Sequence, residues 1–250
     1  MALGASTSSA LAALFVYDCN RDGPRVAMPR PEIQVIVRFG PSAQNGLDIH
    51  AFGVSQTVHR KLIRAGQRSV TARLRLGAPG AVLGVPASAM AGRIVPLEDL
   101  WGDIATRRLR ARLGDARDMV EAAAILESAI AERLATGQGR DAHAELARAA
   151  ADRLTRANVN AVALELGVSE RQLRRVFLET VGVSPKAFAK LARFHRALSA
   201  ARKAAPPSWA SIAAAAGYYD QAHLIAEFRA IAGVTPRALL GELSAAPSVG

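Results

Sequence analysis

The chain lacks several things that would set its class at once. It has a single cysteine, Cys19, which excludes an internal disulfide framework and cannot build a zinc-ribbon cluster. No uninterrupted apolar run reaches the ~18 residues that a spanning helix requires, so a membrane is not an expected partner. The N-terminal stretch MALGASTSSALAALFVYD is apolar in part but has no lysine or arginine before Arg21. A secretory leader carries a basic n-region, so none is expected here and the protein is read as cytoplasmic. Acidic residues are scarce where they matter. Between Arg171 and Lys203 there are nine basic residues and one acidic residue, Glu179. A solvated helix laced with ion pairs would mix the signs, so this window is biased toward an anionic partner.

What is present is bulk apolar content and positive charge. Half of the 250 residues are hydrophobic, enough for a packed core, and 32 basic against 21 acidic residues give a formal charge of +11. The first hundred residues read as short strands, with EIQVIVRF (32 to 39), LDIHAFGV (47 to 54) and AVLGV (81 to 85) punctuated by Gly and Pro. From Pro96 the period changes. LEDLWGDIATRRLRARL puts Leu97, Leu100 or Trp101, Ile104, Leu109 and Leu113 near one helical face. DARDMVEAAAILESAIAERL follows as a second helix with Asp115 as its expected N-cap. TGQGRD (136 to 141) is the best candidate for a domain boundary, and everything from His143 to about Leu243 reads as helical, with a frayed tail after it. The expected organisation is an α+β domain, β-rich with trailing helices, over 1–135. A linker at 136–142, an all-α domain over 143–243 and a tail at 244–250 complete it.

The helical half contains a repeat. NVNAVALELGVSERQLRRVFLETVGVSPKAF (158 to 188) pairs with PSWASIAAAAGYYDQAHLIAEFRAIAGVTPRAL (207 to 239). Val162 matches Ile212 and Gly167 matches Gly217 at an offset of 50. After a one-residue difference in the turn, Leu173 matches Leu224, Phe177 Phe228, Gly182 Gly233 and Pro185 Pro236 at 51. Duplication of a supersecondary unit is the economical explanation. Each copy reads as a helix-turn-helix: a short helix, a glycine able to turn left-handed, a capped second helix. In the first copy Ser169 is the expected cap, with Gln172 completing a capping-box pattern, and Leu173, Val176 and Phe177 face inward. Arg171, Gln172, Arg174, Arg175 and Leu178 then lie outside. In the second, Asp220 is the expected cap, Leu224, Phe228 and Ile231 face inward, and Gln221, His223 or Ile225, Ala226 and Arg229 lie outside. Between them KAFAKLARFHRALSAAR (186 to 202) is long enough for one helix that holds two reading heads apart. Major-groove recognition needs this chemistry: Arg pairs with guanine O6 and N7, Gln with adenine N6 and N7. Two heads about 34 Å apart would meet successive grooves. A capped helix start offers N–H groups to a phosphate, and Lys186, Lys190, Arg193, Arg196 and Arg229 would add sequence-blind attraction.

LGVSERQLRRVFLETVGVSPKAFAKLARFHRAL and WASIAAAAGYYDQAHLIAEFRAIAGVTP resemble the AraC/XylS-type bacterial transcription regulators, over about residues 143 to 241. The resemblance implies two helix-turn-helix motifs joined by a long helix, each placing its second helix in a major groove of promoter DNA. It places Arg171, Gln172, Arg174 and Arg175 at the DNA in the first motif, and Gln221 and His223 in the second recognition helix. Gly167, Leu173, Phe177, Gly182, Pro185, Gly217, Leu224, Phe228, Gly233 and Pro236 are expected to shape the fold. Relatives often carry a basic residue where this chain has Ala226, followed here by Glu227, so the second head is expected to contribute less. The stretch LGVPASAMAGRIVPLEDLWG (83 to 102) resembles the β-rich portion attached to some of these regulators. That portion implies effector sensing, dimerisation or both, with a small molecule of unidentified class. RNA polymerase contact and a nucleoid-associated location when bound to DNA are also implied.

An enzyme is not expected. His50 and His59 are nine apart near Asp48 without zinc or cupin-type spacing, and Glu98, Asp99 and Asp103 cluster where acids serve a helix dipole. Ser8, Ser9 and Cys19 lack a nucleophile context. No cofactor and no metal are therefore expected. The competing reading is an architectural or repair-adaptor DNA-binding protein, although a repair protein of that kind would need a reactive metal-bound cysteine near its N-terminus, and Cys19 stands alone.

Overall fold

Period-two alternation builds the N-terminal half. In the computed structural model, which describes residues 9–137, 142–203 and 208–245, the strands are β1 (Leu11–Cys19), β2 (Gly23–Ala27), β3 (Gln34–Phe39), β4 (Leu47–Phe52), β5 (His59–Ile63) and β6 (Gln67–Leu74). Val35 and Val37 of β3, Ile49 and Ala51 of β4 and Val70, Ala72 and Leu74 of β6 are buried on one face. Helix α1 (Pro79–Leu83) and strand β7 (Ile94–Pro96) follow, then α2 (Glu98–Trp101), α3 (Asp103–Gly114) and α4 (Met119–Thr136). The strands form a five-stranded antiparallel sheet in the order β1-β6-β3-β4-β7 and a separate two-stranded ribbon, β2-β5. Helices α3 and α4 cover the apolar face of the sheet, α4 across β1 and β6. The ribbon stands over the other face.

Several elements differ from the sequence reading. AVLGV is not a strand: Pro79 opens a helical turn, Gly84 closes it at φ +77°, and the adjacent Val82 and Leu83 are both buried. A strand lying on one core would alternate them. The expected strands shrink to 34–39 and 47–52, and β1, β2, β5, β6 and β7 lay unread in it. The apolar patch before Asp18 is largely β1, while its residues 1–8 lie outside the described set. The helix read from Leu97 breaks at Gly102 (φ +80°, ψ 160°), which turns Ile104 out to 63% exposure. Asp115 ends α3 instead of capping α4. Asp118 is the cap, its carboxylate accepting from the N–H groups of Val120 and Glu121 at 2.9 and 2.8 Å.

The helical half comprises α5 (Ala142–Leu154), α6 (Val159–Glu165), α7 (Glu170–Val181), α8 (Pro185–Lys203), α9 (Trp209–Ala216), α10 (Gln221–Ala232) and α11 (Pro236–Ala245). Of the expected break at 136–141, residues 138–141 lie outside the described set, as do residues 246–250 of the expected tail, whose first two residues continue α11. Two hydrophobic cores result. The larger one runs without interruption from the sheet through α4, α5, α6 and α7 to Phe188 at the start of α8. The smaller is built from the rest of α8 with α9, α10 and α11, and Val58 from the β half enters it. Backbone contact explains the tight join on the first side. A Cβ on Gly182 would lie 2.8 Å from the Ala87 carbonyl oxygen, and one on Gly77 2.7 Å from the Ala144 side chain. Among the described residues no helix is long and apolar enough to cross a membrane.

Candidate nucleic-acid interface

The repeat holds at the level of single hydrogen bonds. Gly167 and Gly217 both turn left-handed, at φ +66° and +83°, and the next residue reaches back in each copy. Val168 N–H donates to Ala163 O at 3.0 Å, and Tyr218 N–H to Ala213 O at 2.9 Å. Ser169 Oγ accepts from Gln172 N–H (3.1 Å) to cap α7, and Asp220 Oδ1 accepts from His223 N–H (2.7 Å) to cap α10. Both second helices end on left-handed glycines, Gly182 and Gly233, each donating to a carbonyl four residues back at 2.9 Å. The Ser/Thr-Pro that closes each copy starts the following helix. Ser184 Oγ and Thr235 Oγ1 accept from Ala187 and Ala238 N–H, and Pro185 and Pro236 occupy the first helical position, where a missing N–H costs nothing.

Inward and outward faces separate cleanly in α7. Leu173, Val176 and Phe177 are buried; Arg171, Gln172, Arg174 and Arg175 are exposed, as is Leu178 at 45%. Arg174 is held by Glu170 one turn back, at 2.7 Å. In α10 Leu224, Phe228 and Ile231 are buried, Gln221, His223, Ala226 and Arg229 are exposed, and Ile225 is half-buried.

The long helix α8 spends its charge differently from the sequence reading. Lys186 is exposed and Lys190 half-exposed, but Arg193 and Arg196 have internal partners. Arg196 donates to Thr155 O at 2.6 Å. Arg193 forms an ion pair with Glu227 at 2.9 Å and lies over the Tyr218 ring, 5.3 Å from its centroid. Burial alone would lower the Arg193 pKa, but the Glu227 carboxylate bound to it raises it. Burial and then the same carboxylate raise the Tyr218 phenol. Glu227, 7% exposed, therefore joins α10 to α8 and contributes no negative charge to the outward face. Two exposed residues escaped the sequence reading. Tyr219, 93% exposed, precedes the α10 cap, and Arg237 stands 51 residues after Lys186 at the matching helix start. The repeat offset was the available signal for Arg237.

A second feature lies on the sheet face away from the core. A cavity of about 580 Å³ sits between the five-stranded sheet and the β2-β5 ribbon. Phe15, Ile36, Phe52, Val26 and Ile63 give it apolar walls. Arg25, Arg30, Arg38, Lys61, Arg73 and Arg202 line it with positive charge, and no Asp or Glu is among its lining residues. Arg38 is neutralised by Asp48 at 2.8 Å, whereas the buried Nε of Arg73 has no hydrogen-bond partner. Burial and the surrounding guanidinium groups push the Lys61 and Arg73 pKa values down. The histidines singled out in sequence have separate local partners: His50 Nδ1 is 3.2 Å from Asp48, His59 Nε2 2.9 Å from Ser55 Oγ. Glu98 and Asp99 occupy the first turn of α2 and Asp103 that of α3. Cys19 is a buried free thiol at the end of β1, Ser9 is exposed and Ser8 lies outside the described set.

A helix-turn-helix domain family model matches residues 162–241, the stretch from the first short helix into α11. The chain superposes on ToxT from Vibrio cholerae strain SCE256, a structure with unsaturated fatty acid bound. That match covers 98% of this chain and 100% of that one, at 12% identity and a TM-score of 0.50. The chain has the fold of that structure, with a helix-turn-helix domain in its C-terminal part. ToxT from strain O395, bound to (E)-4-(8-methylnaphthalen-1-yl)but-3-enoic acid, is similar at 11% identity and a TM-score of 0.47, covering 91% of this chain and 97% of that one. No curated protein sequence matches the chain. The sheet, ribbon and α1 to α4 form the N-terminal portion of this fold, and α8 is the long connecting helix between the two helix-turn-helix motifs.

Proposed function

We propose that this chain is a sequence-specific, double-stranded DNA-binding transcription regulator without catalytic activity, whose α7 and α10 enter two successive major grooves of a promoter. The observation that carries this reading is the duplicated, individually capped helix-turn-helix, with polar and basic side chains left outward on both second helices. Arg171, Gln172, Arg174 and Arg175 read bases from the first head, and Gln221 and His223 from the second. Ser169, Lys186, Lys190, Arg229 and Arg237 hold phosphates. Arg193 and Arg196 are left out of that set because their guanidinium groups are engaged inside the protein. The first head dominates, since α10 presents Ile225 and Ala226 where α7 presents Arg174 and Arg175.

The test is a footprint followed by titration at fixed salt. A regulator protects one defined operator; an architectural protein spreads over many sequences. On that operator, Arg174→Ala or Arg175→Ala is expected to cost about 1–3 kcal/mol of binding. Gln221→Ala is expected to cost less, and equal losses refute the ranking.

The reading includes an effector. The cavity has only cations among its charged lining groups, within apolar walls, which supports an anionic molecule with an apolar body. ToxT with its unsaturated fatty acid is an instance of such a ligand on the same fold. Exposed Ile104 on α3 and Val120 on α4 support a homodimer contact there, and RNA polymerase is the partner through which promoter occupancy is read out.

A further inference from the structure

The two reading heads are attached to the β half in different ways. The first shares its core with the sheet, and Gly182 rests on the Ala87 carbonyl. The second has a separate core, which Val58, Val26 and Met28 of the β half join, and is also tied on by polar contacts from the ribbon and its flanks. Val58 N–H donates to Ile231 O at 2.8 Å, in the last turn of α10. Two residues on, Arg60 grips the Glu242 carboxylate of α11 through Nε (2.9 Å) and Nη2 (3.2 Å). The same Nη2 donates to Ala232 O at 2.9 Å, one of the carbonyls left open at the end of α10. His195 Nε2 donates to Pro29 O at 2.6 Å.

The second head therefore hangs on two struts, the helix α8 and the ribbon. A single helix fixes length but leaves bending and twisting free; an attachment off its axis removes both. The planar fork of an arginine suits that task because it binds a carboxylate in one geometry. Its charge also complements the negative end of the α10 dipole. We propose that Arg60 is a positioning residue for DNA reading, setting through the ribbon the separation and angle at which α10 meets its groove relative to α7. This rests on the two-head reading above.

The experiment uses the full chain. An operator is selected from random duplexes, and binding is then measured on a series with about one to three base pairs inserted or removed between the half-sites. The wild type is expected to discriminate sharply among spacings. Arg60→Ala is expected to flatten that profile by roughly an order of magnitude in affinity spread, because fixed geometry sets the effective concentration of the second head. Binding to the first half-site alone should not change. Arg60→Glu should flatten the profile as well, and the swapped pair Arg60→Glu with Glu242→Arg should restore it. An Arg60→Ala chain with the wild-type spacing profile, or one weakened equally at every spacing, overturns the proposal. A wild type indifferent to spacing would instead overturn the two-head reading, and the strut with it.

Discussion

Gly182 and Gly233 occupy the same position in the two copies of the repeat, and replacing each by alanine separates them. Both are left-handed, at φ +88° and +74°, so both substitutions incur the cost of a side chain in that region, about 1–2 kcal/mol. Only one meets an obstacle. At Gly233 an added Cβ finds open space, whereas at Gly182 it lies 2.8 Å from the Ala87 carbonyl oxygen and 3.2 Å from Val54 Cγ2. A backbone carbonyl cannot swing aside as a flexible side-chain end can, and such overpacking costs a further ~1–3 kcal/mol. Gly233→Ala should therefore destabilise by about 1–2 kcal/mol and Gly182→Ala by about 2–5 kcal/mol. Urea unfolding followed by tryptophan fluorescence measures both. The two tryptophans report from different places, Trp101 in the larger core beneath the sheet and Trp209 beside the smaller one. Gly182→Ala should move the Trp101 transition and Gly233→Ala mainly that of Trp209. Equal losses at the two sites would mean that the first head is not seated on the β half as described.

Three further outcomes can be checked. Glu227→Gln should destabilise by about 1.5–3 kcal/mol, since it removes the charged partner of Arg193, and should leave DNA affinity no higher. A gain in affinity would place Glu227 on the DNA face. A long-chain carboxylate should bind the wild type, and its alcohol analogue should bind more weakly by calorimetry. Arg73→Gln should weaken the acid about tenfold or more, in line with the loss of one charged hydrogen bond, and equal binding of acid and alcohol would refute an anion seat. The His195 pKa lies below its ordinary value, chiefly through burial, with Arg30 and Arg73 adding to the shift. The folded state then binds fewer protons than the unfolded one, so stability is intact above about pH 6.5 and declines as pH falls through that value toward the lower folded pKa. His195→Gln should show a smaller decline in urea midpoint between about pH 8 and pH 5.5.

The helical half was legible because its signals are local. Glycines that must turn left-handed, the Ser169 and Asp220 caps, and Leu173 and Phe177 recurring as Leu224 and Phe228 all act within one or two turns of the chain. Each copy of the repeat also checked the other. The β half had no such aid. QRSVTARL has little apolar run to mark it as a strand because its alternate residues Gln67, Ser69, Thr71 and Arg73 line a cavity. AVLGV reads as a strand from composition alone, until Pro79 and Gly84 are seen to bound a single helical turn.

Sequence by itself determined which side chains face outward on α7 and α10, because helical periodicity and capping are properties of neighbouring residues. Tertiary structure alone decided which of the outward charges remain available. Arg193, read in sequence as a free cation, is tied to Glu227, 34 residues away; Arg60, unremarkable in sequence, reaches Glu242, 182 residues away. A pairing across that distance leaves no local pattern, since it depends on where the fold brings two chain segments and not on the spacing between neighbours. The same holds for the cavity, whose cations come from β2, the segment between β2 and β3, β3, β5, β6 and α8 and meet only when the ribbon closes over the sheet.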